Sequence, residues 1–402
     1  MNRVRLLAFI GFIVLAGLIL TARPWGTDPH APRFVPKAPA SLPAYAWDDY
    51  SWGADVPFEG GKLWVWTALG TNWHAYLFDL ERREVMGQLL NSGVPELVSR
   101  DGSRLLCRGY DSPAMSIRRE LIDFLRKIFG AKTLAGVNRI ETFWILDRSN
   151  NRATRVGAVS QFPGAGSGWH RSPSARYGYT VPSTAAGSSF VLCDLDTRRL
   201  TTVPVAGELR GWWDDQTILI QDRTPNQFVL YDLQTRKTRA LFSPAQIENF
   251  LASTDLKNDA AGLSVFPNWN GSGYDFYFCE HDRYHGLASS NGFLLKMDRG
   301  GPGLRLVDRK FDFRWLGRLD ETGTHYLYPG ESLGPGKGGD GGVFLHDLAS
   351  GSNFPVVLPD NKGQYSIPRF YRDEVIYFRN RLLRRIKVDG SGDEPLLPAG
   401  GK

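Results

Sequence analysis

The chain has 402 residues, of which 42% are hydrophobic and 12% aromatic, so it is long enough to bury a large core. Its 44 glycines and 24 prolines favour many short strands joined by turns over long helices. The formal net charge of +6 is scattered along the chain rather than gathered in one block, which argues against a nucleic-acid-binding protein.

Residues 1–23 predict a targeting segment. Two arginines precede an uncharged run from Leu6 to Ala22, and Arg23 follows it. The length of the run lies between that of a secretory signal peptide and that of the shortest membrane span, so both alternatives stay open. Leu20 stands where signal cleavage prefers a small residue, which favours an uncleaved membrane anchor. In both cases we expect the rest of the chain on the periplasmic or extracellular side, either membrane-anchored or secreted.

Residues 24–50 form a proline-rich segment ahead of the first repeat. Six prolines lie between positions 24 and 43, a composition that favours a stiff, extended chain. We expect this segment to remain an unfolded spacer that holds the folded domain, residues 51–402, away from the membrane.

One short pattern recurs along the folded part of the chain. An apolar run ends in an aspartate, a polar turn follows, and a second strand-like run completes a hairpin, as in "FVLYDLQTRKTRALF" at 228–242. The aspartates of the seven copies are Asp79, Asp147, Asp194, Asp232, Asp298, Asp347 and Asp389. Repeats of about 40 to 50 residues are typical of propellers and other repeat folds. The aspartate carboxylate can accept hydrogen bonds from backbone N–H groups two residues on and thereby set the turn.

A second hairpin precedes several copies, as in "PELVSRDGSRLLCRGY" and "IPRFYRDEVIYF". Two hairpins give four strands per repeat. From Gly61 to Pro398 the chain resembles the TolB-like and WD-repeat-like β-propeller families, in which "S-x-D-G-x-x-L" precedes "L-x-D-L-x-T-x". The resemblance implies an all-β, seven-bladed propeller. Because the last segment, "DEPLLPAGGK", contains two prolines and makes a poor strand, the stretch "VPFEGGKLWVW" is a candidate to complete the final blade.

An insertion in the second repeat predicts an amphipathic helix over residues 112–130. Ser112 can cap it, Pro113 can open it and Gly130 can close it. Such a helix either packs on the ring or docks on a partner or the membrane, and packing is favoured. A shorter candidate helix, "SPAQIENFLAS" from Ser243, leaves the same two alternatives.

Aromatic residues beside glycine-rich stretches are candidates for a partner-binding surface. Trp169 and His170 follow a "GSG" stretch, and Trp269 precedes "NGSG". In loops these side chains could line a binding face, and core packing is the alternative for the two tryptophans.

The stretch "CEHDRYH" at 279–285 has a composition that could ligate a metal. Histidines four positions apart share a face only on a helix, however, and this stretch follows the strand-like "YDFYF". We therefore expect a solvated hairpin loop and keep His281 and His285 as possible partner-binding residues. The glycine-rich run 330–342 contains the letters of a dinucleotide fingerprint but joins two strands, so it predicts a loop.

The remaining chemistry points away from catalysis. No serine lies in a G-x-S-x-G motif, so the nucleophile elbow of an α/β-hydrolase is absent from the sequence. The three cysteines fall in separate strand-like runs and are expected to be buried free thiols. We expect no cofactor and no metal.

These observations favour an extracytoplasmic binding or scaffold protein. Its loops or central channel would hold a protein, peptide or glycan, and the N-terminal segment would contact the membrane. The alternative is a propeller-type lyase or hydrolase with an active site in the central channel, where residues from several repeats could meet.

Overall fold

The structure is a computed structural model. It describes residues 31–36, 61–69, 72–92, 95–110, 141–162, 168–181, 189–222, 227–256, 263–280, 292–299, 303–309, 311, 317–330, 342–358, 368–379 and 382–396. The predicted leader, the predicted helix over 112–130, and both His281 and His285 lie outside these residues. Within the described part, no helix combines the length and hydropathy that a bilayer span requires.

The described chain folds into seven antiparallel sheets of four strands each. The first sheet contains β1 (Arg33–Pro36), β2 (Lys62–Leu69), β3 (Asn72–Asp79) and β4 (Glu84–Leu90). The second and third contain β5 (Leu97–Val98), β6 (Arg104–Tyr110), β7 (Glu141–Asp147), β8 (Arg152–Ala158), then β9 (His170–Arg171), β10 (Tyr177–Thr180), β11 (Ser189–Asp194) and β12 (Arg199–Pro204). The fourth and fifth contain β13 (Glu208–Trp212), β14 (Thr217–Asp222), β15 (Gln227–Asp232), β16 (Thr238–Phe242), then β17 (Leu263–Trp269), β18 (Tyr274–Glu280), β19 (Leu294–Met297) and β20 (Leu304–Asp308). The sixth and seventh contain β21 (Arg318–Leu319), β22 (His325–Pro329), β23 (Val343–Asp347), β24 (Ser352–Val357), then β25 (Arg369–Tyr371), β26 (Glu374–Arg379), β27 (Leu382–Lys387) and β28 (Glu394–Pro395).

Apolar side chains join each sheet to the next and close the sheets into a ring. Separate or shared core clusters connect the first sheet to the second, the second to the third, and so on to the seventh. The seventh sheet returns to the first through a cluster that includes Leu63, Phe78, Ile376 and Leu383. Strand β13 contacts both β9 and β17, the first strands of the two neighbouring sheets. The all-β, seven-bladed propeller predicted from the sequence is therefore confirmed.

The ring closes without a strand shared between the first and last sheets, as far as the described residues show. Of the stretch 56–66 suggested to complete the final blade, residues 56–60 lie outside the described residues, and the part from Lys62 onward pairs with β3 of the first sheet, so the suggestion is wrong for that part. The seventh sheet uses the short β28 as its outer strand instead. Ion pairs accompany the apolar closure, with Arg83 Nη2 lying 2.8 Å from Glu394 Oε1 across it.

Strand β1 lies inside the segment 24–50, which we expected to remain an unfolded spacer. It pairs with the outer edge of β4, Phe34 opposite Leu89, and the Phe34 N–H donates to Asn151 Oδ1 at 2.8 Å. The Arg148 guanidinium lies 4.4 Å from the centre of the Phe34 ring. The spacer expectation is therefore wrong for these four residues, because an open sheet edge satisfies their backbone groups, which composition alone does not reveal.

Six of the seven repeated aspartates set their turns as predicted, and the turn after Asp298 lies partly outside the described residues. Asp79 Oδ1 accepts from the backbone N–H groups of Glu81 and Arg82 at 3.0 and 2.9 Å. Equivalent bonds from backbone N–H groups recur at Asp147, Asp194, Asp232, Asp347 and Asp389. Four positions after the aspartate, five turns have a residue with φ between 55 and 67°, namely Arg83, Asn151, Arg198, Arg236 and Gly351. A left-handed residue there closes a hairpin through a bulge.

Between the fourth and fifth sheets lies the helix α1 (Pro244–Ser253). It confirms the shorter candidate helix, and Ser243 caps it by accepting from the Gln246 N–H, while the Gln246 side chain accepts from the Ser243 N–H at 2.9 Å. Ile247 and Leu251 are buried in the core cluster of the third, fourth and fifth sheets, so α1 packs on the ring. The three cysteines are buried free thiols, as expected.

Candidate functional site: the loop face

The ring has two unlike faces, and chain direction decides which connection lies on which face. In the second to seventh sheets, the turns between first and second strands and between third and fourth strands share one edge, because neighbouring strands are antiparallel. We call this edge the turn face; it includes residues 99–103, 172–176, 213–216, 270–273, 320–324 and 372–373, and all seven aspartate turns. The links between second and third strands, and from one sheet to the next, lie at the opposite edge, the loop face.

In the second to seventh sheets, and between one sheet and the next, the long connections belong to the loop face. The first sheet differs, because β1 runs toward the turn face and β2 starts there, so the long connection between Pro36 and Lys62 belongs to the turn face. On the turn face, β7 ends at Asp147 and β8 starts at Arg152. On the loop face, β6 ends at Tyr110 and β7 starts only at Glu141. The predicted insertion 112–130, the "CEHDRYH" stretch, the glycine-rich run and α1 all interrupt the chain at this same face. In six of the seven sheets, sequence available for recognition is therefore concentrated at the loop face.

A partly buried ion pair lies at the loop-face end of the second sheet. Glu96 Oε1 is 3.1 Å from Arg108 Nη2, and the two side chains are 18% and 22% exposed. The Arg108 guanidinium also lies 5.6 Å from the centre of the Phe143 ring. Burial raises the pKa of Glu96, and Arg108 opposes this shift by stabilising the carboxylate. Glu141, which begins β7, raises the pKa further, so this end of the sheet concentrates negative charge.

A second polar cluster lies at the loop-face end of the fourth sheet. Arg210 Nη2 lies 2.6 Å from Glu208 Oε2, and Arg210 Nε donates to Gln221 Oε1 at 2.9 Å. Gln221 is only 4% exposed, and it pairs with Glu208 across the two strands. The register between β13 and β14 shifts between Leu209 and Gly211, which places Arg210 beside its two partners.

Trp169, the first predicted binding residue, directly precedes β9. Its indole is 2% exposed and meets the Phe143 ring edge-on at 6.0 Å, in the core between the second and third sheets. A side chain this buried offers no surface to a partner, so the core-packing alternative describes Trp169. Alternation along a strand sends the side chains of Trp169 and His170 to opposite faces, but it does not tell which of the two faces is buried.

His170 and Trp269 lie at different places on the ring. The His170 ring stacks on Tyr179 of its own sheet at 4.9 Å, and its carbonyl accepts from Trp212 Nε1 at 2.7 Å. Trp269 ends β17 at the turn face, where the Arg171 guanidinium lies 5.5 Å from its ring. The predicted residues that the structure describes therefore do not form one surface.

A polar network between the fifth and sixth sheets was not found from the sequence. His346 Nε2 lies 2.7 Å from Asp308 Oδ2, and Nδ1 lies 2.9 Å from Asn353 Oδ1. The Tyr328 hydroxyl donates to the same Asn353 oxygen at 3.1 Å. His346 and Asp308 are 5% and 9% exposed, so the network ties the sheets together from inside. In the described part of the chain, no group of three His, Cys, Asp or Glu residues is placed to hold a metal.

An open pocket of about 420 Å³ lies on the turn face between the third and fourth sheets. Its lining residues are Tyr177, Leu192, Gln216, Leu233 and Gln234. The Tyr177 ring stacks against Trp212 at 6.3 Å, and the Arg176 guanidinium lies 4.8 Å from the centre of the Tyr177 ring.

Comparison with known proteins agrees with the fold. No family model matches the chain, and no curated protein matches its sequence. Among solved structures, the oligogalacturonate lyase of Vibrio parahaemolyticus is similar with a TM-score of 0.49 and 11% identity, over 91% of this chain and 96% of that one. The β-propeller domain of the trilobed protease of Pyrococcus furiosus gives 0.47 and 11%, over 84% and 92%. TolB of Acinetobacter baumannii gives 0.35 and 14%, over 82% and 78%.

The similar structures include a β-propeller domain and TolB, and they show no particular subfamily for this chain. Their identities and TM-scores are too low to carry an argument about activity. The fold assignment rests on the seven four-stranded sheets and their closure, and the function must be argued from this chain's own residues.

Proposed function

We propose that this protein is an extracytoplasmic binding or scaffold protein that engages a protein, peptide or glycan through its loop face. The observation that carries the proposal is a difference between the two faces in the second to seventh sheets: their turn-face connections are short, and their long connections all lie at the loop face. Six sheets that needed only to fold would have no reason to concentrate their additional sequence on a single edge.

The arrangement of ionisable groups favours binding over the lyase or hydrolase alternative. The ion pairs among the described residues draw on one sheet, as with Glu96 and Arg108, or on two neighbouring sheets, as with Asp308 and His346. Catalysis in the central channel would draw on groups that converge from several sheets around the axis. A binding function requires no such convergence.

We further propose that residues 1–23 anchor the protein in the membrane with its basic start in the cytoplasm. The uncharged run is close to the length of a short span, and the poor cleavage site favours its retention. The propeller would then lie on the periplasmic or extracellular side.

Site-specific photo-cross-linking in cells tests the binding face. A photoreactive residue is introduced into the full chain at Val181 or Leu358 on the loop face, and at Thr197 or Gln234 on the turn face as matched exposed controls. We expect covalent adducts from the loop-face positions only, and an excess of the unmodified chain should compete them away. Equal adducts from both faces would contradict the proposal, as would reproducible turnover of a small substrate by the pure full chain.

A further inference from the structure

The N-terminal strand determines the face at which the chain joins the ring. β1 is antiparallel to β4, with Arg33 opposite Leu90 and Pro36 opposite Gly87. β4 follows an aspartate turn and therefore runs from the turn face to the loop face. β1 consequently starts at the loop face, and the chain before it reaches the ring there.

Side-chain contacts hold this entry point in place. The Asn91 amide, directly after β4, donates to the Ala31 carbonyl at 3.1 Å. Phe34 is 7% exposed and packs in the core cluster shared by the first and second sheets. Its N–H is bonded to Asn151 of the second sheet, so two sheets fix the strand. The point where the chain enters is therefore part of the folded ring.

The chain between the predicted anchor and this entry point is short. Residues 24–30 lie between Arg23 and Ala31, and seven residues span at most about 25 Å when fully extended. The seven residues of β4 span about 23 Å from one face of the first sheet to the other. We call residues 24–30 the tether. If the turn face were directed toward the bilayer, the tether would have to run along the full height of the sheet, which would use nearly all of the tether's length.

We infer that the loop face is held against the surface of the phospholipid bilayer, with the turn face directed away from it. This inference rests on the proposed membrane anchor and extends it from attachment to orientation. Binding at the loop face then takes place within a tether's length of the membrane.

Exposed apolar side chains agree with this orientation. Among the described residues, the exposed large apolar side chains are Val35, Val181, Phe354 and Leu358. Val181 and Leu358 directly follow strands that end at the loop face, and Leu358 is 71% exposed. The other two lie on β1 and β24, and none of the four lies in a turn of the turn face. Apolar groups at the loop face can insert at a lipid surface.

Fluorescence energy transfer to the bilayer tests the orientation. Single cysteines are introduced into the full chain as Val181→Cys or Leu358→Cys on the loop face, and as Thr197→Cys or Gln234→Cys on the turn face. The native Cys107, Cys193 and Cys279 are buried, and burial raises the pKa of Cys107 to about 12, so a water-soluble maleimide should spare them. The labelled protein is placed in phosphatidylcholine vesicles with an acceptor on the lipid headgroups.

We expect at least about twofold stronger energy transfer from the loop-face labels, because the two sets of labels differ in height by about 23 Å. Equal transfer from both faces, or stronger transfer from the turn face, would overturn the inferred orientation. Inserting about 15 Gly-Ser residues after Thr27 provides a control, since a flexible tether of that length should remove much of the difference. An unchanged difference in that variant would show that the tether does not set the orientation.

Membrane fractionation with N-terminal sequencing tests the proposed membrane anchor separately from the inferred orientation. A soluble chain whose mature sequence starts near Arg23 would overturn the anchor, and the orientation with it. A membrane-bound full-length chain whose labels show equal or reversed transfer would overturn the orientation alone.

Discussion

The turn face and the loop face differ in how the hydrogen-bonding groups of their backbone and side chains find partners. On the turn face, hydrogen bonds close each turn and also join neighbouring sheets: the Ser174 N–H donates to Asp215 Oδ1 at 2.8 Å, and Asn268 Nδ2 donates to the Asp320 carbonyl at 2.8 Å. At the loop face, the chain leaves the sheets for its longest excursions. The comparison shows that one edge of the ring carries the repeated structural chemistry, which leaves the other edge available for recognition.

The carboxylates of the two faces also differ. Hydrogen bonds from Ser99 and Ser103 lower the pKa of Asp101 to about 2, and the hydroxyl of Ser149 lowers the pKa of Asp147. At the loop face, burial raises the pKa of Glu96. Glu374 is an exception on the turn face, because burial raises its pKa as well. Asp101 and Asp147 thus serve as ionised acceptors, whereas Glu96 is a buried acid of the kind often found at functional sites.

The largest loss of stability should come from replacing Trp212, which ends β13 near the turn face. Trp212 is 1% exposed, and its indole donates to the His170 carbonyl at 2.7 Å. Trp212→Ala should lower the free energy of unfolding by about 3–5 kcal/mol, because it leaves a large cavity between two sheets. Urea unfolding measures the loss. Trp212→Phe retains most of the packing and should cost less. A loss below about 1 kcal/mol for the alanine variant would contradict the role of Trp212 in holding the two sheets together.

A smaller loss is expected from a single turn aspartate. Asp79 is 7% exposed and accepts from two backbone N–H groups. Asp79→Ala leaves both donors without this partner and should lower the free energy of unfolding by about 1–3 kcal/mol. Asp79→Asn keeps an acceptor oxygen in place and should cost clearly less. If the two variants lost equal stability in urea unfolding, the charge rather than the turn geometry would be responsible.

The aspartate turns could be predicted from the sequence because their chemistry is local. The carboxylate of Asp147 and the N–H it binds are two residues apart, so the pattern of letters contains the whole interaction. Seven copies of a local pattern then implied seven sheets, since no single sheet can bury both of its apolar faces alone. The faces themselves follow from strand direction once the sheets are known.

Other parts of the structure depend on partners far away along the chain. Strand β1 forms because β4 presents an open edge to it, and nothing between Arg33 and Pro36 specifies that partner. His346 meets Asp308 across two sheets, which no spacing rule links. Trp169 illustrates a different failure: the neighbouring glycines suggested a loop, but packing between the sheets determines the environment of its indole.

The loss of stability at acid pH should reflect protonation of carboxylates on the turn face. The pKa of Asp101, Asp147 and Asp347 is lowered in the folded protein, so unfolding takes up protons at these sites. Their contribution is fully present above the unfolded-state pKa near 4 and is lost as pH falls through the folded-state values, which for Asp101 is about 2.

We therefore expect the urea midpoint to fall between about pH 4 and pH 2, each group contributing less than Asp79 does to its turn because most are exposed to solvent. Asp101→Asn should flatten the profile in this window, since amide nitrogen and oxygen do not titrate there. A profile with the same slope in wild type and variant would exclude Asp101 as a source of the acid sensitivity.

The smallest effect on stability is expected at the loop face. Leu358 is 71% exposed, so Leu358→Ser should change the free energy of unfolding by no more than about 0.5 kcal/mol. Leu345, in the third strand of the same sheet, provides the matched control: it is 2% exposed, and Leu345→Ser should cost several kcal/mol through lost burial and a buried hydroxyl. Urea unfolding of both variants measures the contrast. A substantial loss at Leu358 would show that the loop face also supports the ring, and the division between a structural edge and a recognition edge would then not hold.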